Sequence, residues 1–116
     1  MTHSPKQTVP EILNAAADLL EKPGAWTQGT SYAGPNGEWR NGGEPDVTCR
    51  CTVGAINEIC RWNFDAAIPV FQVFETHIGQ DTAKWNDNAY RTQAEVVAAL
   101  RQAAEKAARP SNRGEA

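Results

Sequence analysis

The sequence predicts an all-α fold, a compact bundle of about four helices with a long Gly/Pro-rich loop between the first and the second. Three observations predict it. Two Thr-x-x-Glu capping boxes, Thr8 to Glu11 and Thr92 to Glu95, each open an apolar run of helical period. Six of the nine glycines and three of the seven prolines fall within residues 23–47, so breakers are concentrated in one segment. No series of alternating apolar and polar residues marks a sheet.

The elements follow in chain order. Thr8 caps a helix over about residues 9–22, with Pro10 tolerated in its first turn. Val9, Ile12, Leu13, Ala16, Leu19 and Leu20 recur at helical spacing, and Lys22-Pro23-Gly24 stops the run. Residues 23–47 form the loop, with Asn36-Gly37 offering the turn of a small hairpin. The second helix is expected to begin at Asp46 or Thr48, either of which can cap it, and to end near Trp62, with Val53, Ile56, Ile59 and Cys60 inward. The third begins at Asn63 or Asp65, with Pro69 in its first turn and Ile68, Val70, Phe71, Phe74 and Ile78 as its buried stripe, and Gly79 ends it. A polar loop containing Trp85-Asn86-Asp87 leads to Thr92 and a last helix rich in alanine. The domain is expected over 8–108, with flexible tails at 1–7 and 109–116.

Composition narrows the function classes. A chain of 116 residues suits one domain, and the four tryptophans need a core or an interface. A net charge of −3 and a pI near 5.3, with no Lys/Arg cluster, argue against direct nucleic-acid binding. No run of ~20 apolar residues marks a membrane helix, and residues 1–10 lack the apolar stretch of a signal peptide. Cys49, Cys51 and Cys60 are an odd set with no export signal, which fits a cytoplasmic protein rather than a disulfide framework.

Few constellations carry chemistry. Cys49, Cys51, Cys60 and His77 supply four zinc-type ligands, but only one close pair exists and a single residue separates it, so no metal and no cofactor is expected. Cys51, His77 and Asn86 follow the order of a cysteine hydrolase or transferase, and a cysteine at a helix start beside Arg50 is placed for a lowered pKa. The plain alternative packs Cys51 under the loop and leaves His77 at a helix end. Asn86-Asp87 suit turn ordering, with Arg91 near enough in sequence to pair with Asp87. No phosphate-cradling glycine motif and no glycosidase-like carboxylate pair is present. The aromatics of the loop, Trp26, Tyr32 and Trp39, with Arg40 and the acidic Glu38 and Glu44, make the expected protein-contact surface, because Trp, Tyr and Arg dominate such surfaces.

Four segments carry a resemblance: Ile12-Leu13-x-x-Ala16-Ala17-x-Leu19-Leu20, Trp26-Thr27-Gln28-Gly29, Cys51-Thr52-Val53-Gly54-Ala55-Ile56, and Trp85-Asn86-Asp87 before Arg91-Thr92-x-x-Glu95-Val96. Together they resemble the small actinobacterial and phage proteins grouped as domain-of-unknown-function family 6197, over most of residues 11–105. Trp85, Asn86, Asp87, Arg91 and Thr92 form the most specific block. The chain departs from that pattern at Ile56, where leucine is usual, and in the length of its Gly-rich segment. The resemblance implies no activity. It implies a phage or prophage setting, hence a host-interaction or anti-defence protein. The expectation is a small non-enzymatic binding or regulatory protein that acts through a protein partner.

Overall fold

The computed structural model describes residues 7–109. Five helices and one short antiparallel strand pair follow in the order α1 (Val9–Glu21), β1 (Tyr32–Ala33), β2 (Cys49–Arg50), α2 (Thr52–Ile59), α3 (Phe64–Ile78), α4 (Thr82–Asn86) and α5 (Gln93–Ala108). The fold is mainly α, as the sequence predicts, with a fifth helix it does not predict. Apart from Gln7 and Arg109, the expected tails lie outside the described residues.

Both capping boxes form. Thr8 Oγ1 accepts from the Glu11 amide at 3.2 Å, and Glu11 Oε1 accepts from the Thr8 amide at 2.8 Å. Thr92 and Glu95 repeat the exchange at 3.2 and 3.0 Å. Each box satisfies backbone donors that a helix start otherwise leaves open.

The central packing is α1 against α5. Their buried faces are Ile12, Leu13, Ala16, Ala17 and Leu20 on one side, and Val96, Ala99, Leu100, Ala103 and Ala104 on the other. The many alanines allow close approach of the two axes. Ala55, Ile56, Cys60, Ala67, Val70, Phe74 and Trp85 complete one continuous core. Gln93 Nε2 donates to the carbonyls of Leu20 and Lys22, both at 2.7 Å, and so closes the end of α1 from the start of α5.

Several boundaries correct the expectation. Neither Asp46 nor Thr48 opens α2. Asp46 is held by Arg40 instead, and the Thr48 amide donates to Ala33 O at 2.9 Å. The cap is Cys51, whose Sγ accepts from the Gly54 amide at 3.4 Å. The helix ends at Ile59, three residues before Trp62. Asn63 caps α3, which puts Pro69 at its sixth residue, past the first turn. Ile68 is not part of the buried stripe but is 52% exposed. Trp85 and Asn86 lie in α4, a helix and not a loop, with Asp87 as its C-cap.

The turn at Asn36-Gly37 forms, but its two arms meet only in a single bridge between Ala33 and Trp39. The ladder partner of β1 is β2, with Tyr32 opposite Arg50 and Ala33 opposite Cys49. This pair lies on α2 where Gly54 has no side chain. A Cβ there would stand 2.4 Å from the Ser31 carbonyl oxygen, so only glycine fits.

Candidate functional site

The polar centre of the molecule is Asn86, which is fully buried. Its Oδ1 accepts from Trp26 Nε1 at 2.7 Å, from the Thr52 amide at 2.9 Å and from Thr52 Oγ1 at 2.7 Å. Its Nδ2 donates to Thr27 O at 3.1 Å and to Asp87 Oδ1 at 2.9 Å. Every hydrogen-bonding atom of the amide is thereby used within the protein. One residue joins the segment after α1, the start of α2 and the end of α4.

Its neighbours extend the same network. Gln28 Nε2 donates to the Asn86 and Asn88 carbonyls, both at 2.8 Å, and the Gly29 amide donates to Asp87 Oδ1 at 3.0 Å. Trp85 meets Phe74 edge to face at 5.4 Å between ring centres. The Arg91 guanidinium covers its ring at 4.1 Å and donates from Nε to the Trp85 carbonyl at 3.0 Å. The ion-pair partner of Arg91 is Glu95, at 3.7 Å, in place of the expected Asp87. Trp85, Asn86, Asp87 and Arg91 thus join elements to one another while Thr92 caps α5, and the Trp26-Thr27-Gln28-Gly29 segment is their counterpart.

Among the described residues no hydrogen bond joins Cys51 to His77 or to Asn86. Asn86 does reach the start of α2, through Thr52. His77 directs both ring nitrogens at α5, 3.2 Å from Gln102 Oε1 and 3.1 Å from Lys106 Nζ. Burial pushes the Cys51 thiol above its ordinary pKa, against the Gly54 amide and the Ser31 hydroxyl that favour a thiolate. Cys49 donates weakly to Ala33 O at 3.7 Å, and Cys60 packs into the core. All three cysteines are free and buried. Among the described residues, no three His, Cys, Asp or Glu side chains group closely enough to hold a metal ion.

The aromatics expected as a contact surface separate. Trp26 is half-buried and bonded to Asn86. Tyr32 is buried, and its hydroxyl donates to Gly54 O at 3.0 Å and accepts from Trp62 Nε1 at 2.8 Å. Burial raises its pKa, and the Trp62 bond opposes that rise. Arg40 is held by Asp46 at 2.9 Å and Glu38 at 3.3 Å. Trp39 is the member of the set that stands exposed, at 63%.

Exposed apolar residues also gather around the start of α3. Trp62, Phe64 and Ile68 are large, exposed and within seven residues of one another, with Phe64 at 68%. Half-buried Phe71 continues the row along α3. Phe64, Ile68 and Phe71 follow i, i+4, i+7 spacing, one flank of a helix. The buried residues Ala67, Val70 and Phe74 occupy a different face. The signal was available in the sequence, because α3 carries more apolar positions than one buried stripe can take.

The approach to this surface is strained. Arg61 and Trp62 both have left-handed backbones, with φ of 55° and 58°. Two consecutive non-glycine residues there cost about 1–2 kcal/mol each. The Arg61 amide donates to Glu58 O at 2.9 Å and the Trp62 amide to Asn57 O at 2.8 Å, which hold the turn.

The fold and these sites define a small mainly-α protein with a buried asparagine at its centre and an aromatic row on its surface. The chain belongs to the Family of unknown function (DUF6197), whose model matches residues 4–106. No curated protein and no solved structure matches it. No helix among the described residues is long and apolar enough to cross a membrane.

Proposed function

We propose that this is a small non-enzymatic binding or regulatory protein of the cytoplasm, acting through protein–protein contact. The observation that carries the reading is the exposed pair Phe64 and Ile68 on one flank of α3, with exposed Trp62 just before the helix. Contiguous exposed apolar surface on a small protein marks a contact site, and aromatics dominate the energy of such contacts. Three free cysteines accord with a reducing compartment. A host-interaction or anti-defence role, in the phage setting that the resemblance implies, belongs to the same proposal. Trp39 stands in this reading as a further contact residue. The sequestered Cys51 and the α5-bonded His77 support a binding role over the hydrolase.

The test is a binding measurement on a purified partner, isolated first on the immobilised protein. Ile68→Ser should weaken its affinity at least about tenfold, the effect of losing a central apolar contact. The variant should keep the wild-type circular dichroism, because Ile68 is half exposed. Binding indifferent to Ile68→Ser would remove α3 as the contact surface.

A further inference from the structure

We infer that the partner of the α3 row is a second copy of this chain, packed about a two-fold axis near Phe64. The inference rests on the reading of that row as a contact surface. Its further support is charge. Arg61 and Asp65 lie on either side of Phe64 in the sequence, carry opposite signs and are both exposed. Among the described residues neither forms an ion pair, whereas Arg40, Arg50, Arg91, Arg101 and Arg109 all do. A two-fold contact must be complementary to itself. Two apolar residues satisfy that by meeting their own copies, while charges satisfy it only in opposite pairs. An axis at Phe64 sets Phe64 against Phe64 of the second copy. It sets each Arg61 beside the other copy's Asp65, so two equivalent ion pairs form across the axis.

The strained turn fits the same contact. Left-handed backbones at Arg61 and Trp62 set how the chain enters α3, with the Trp62 indole turned back to the Tyr32 hydroxyl and Arg61 left exposed beside Phe64 in sequence. From Phe64 to Phe71 the row runs roughly 10 Å along the helix. A contact of that length belongs to the small, transient class of interface, so the dimer is concentration-dependent.

Sedimentation velocity over about 1 µM to 1 mM tests this, a range that spans transient association. The wild type should pass from monomer to dimer across it. Arg61→Asp and Asp65→Arg, taken singly, should each weaken self-association roughly tenfold, because each puts like charges together at both contacts. Mixed in equal amounts, the two variants should associate with each other at least as well as the wild type does with itself. Aspartate tolerates the left-handed backbone at position 61, and thermal melts confirm that each variant is folded. Ile68→Ser supplies an uncharged check and should also weaken the dimer. A wild type that stays monomeric throughout, or a mixture no better than its components, overturns the dimer. A monomeric wild type that still binds a different purified protein through Ile68 removes the dimer alone and leaves the contact surface standing.

Discussion

At Cys51 two influences on one thiol oppose each other. The start of α2 and the Gly54 amide favour the thiolate, while burial favours the neutral thiol. Burial dominates, so the folded protein holds this proton more tightly than the unfolded chain does. Its contribution to stability is complete below the ordinary thiol range, about pH 8.5, and is lost as pH rises through the higher folded value. The same balance decides reactivity. In a Cys49→Ser, Cys60→Ser background, iodoacetamide at about pH 6.5 should label Cys51 slowly in the folded protein and quickly after unfolding. His77→Ala should leave the folded rate unchanged, because the imidazole is committed to Gln102 and Lys106. Fast, His77-dependent labelling would restore the hydrolase reading.

Between elements, Asn86 is a buried side chain that ties three segments together. Asn86→Ala leaves Trp26 Nε1, the Thr52 amide, Thr52 Oγ1 and the Thr27 carbonyl without their partner. Buried polar groups without partners cost about 1–3 kcal/mol each, with some recovered by water, so a loss of about 3–5 kcal/mol is expected. Thermal unfolding should move down by roughly 10 °C or more. A loss under about 1 kcal/mol would show that the network relaxes around the gap. How legible such elements are depends on the range of the forces that make them. The caps at Thr8 and Thr92 involve residues three apart, and both were readable directly from the sequence. The short helix α4 was not, because five residues do not hold a helix alone. It exists because Asn86 meets Trp26 and Thr52, which are 60 and 34 residues distant. The start of α2 lies later than its sequence pattern predicts for a related reason, since ordinary capping residues at 46 and 48 lose to a cysteine sulfur fixed by tertiary packing.

For the molecule as a whole, the α1–α5 core follows from periodicity, since helical spacing alone assigns an inner face to both helices. Periodicity fails at α3, where apolar residues occupy two faces and spacing alone does not show which is covered. The site is therefore less legible than the fold. Trp26 and Tyr32, contact residues by composition, are turned inward by bonds to Asn86 and Gly54, and Ile68, a core residue by spacing, faces out.

The left-handed pair at Arg61 and Trp62 sets two demands on this chain against each other. A residue at ease in that conformation, such as asparagine, would relieve part of its strain. Arg61→Asn should therefore raise the melting temperature by a few degrees, for a gain of roughly 0.5–1 kcal/mol. The same change removes the charge that meets Asp65 of the second copy, so the sturdier monomer should be the poorer dimer. A melt and a sedimentation run on that one variant should move in opposite directions, and self-association left unchanged or strengthened would show that the Arg61 charge takes no part in the dimer. Read so, this short turn marks where the chain has given up robustness to remain sociable.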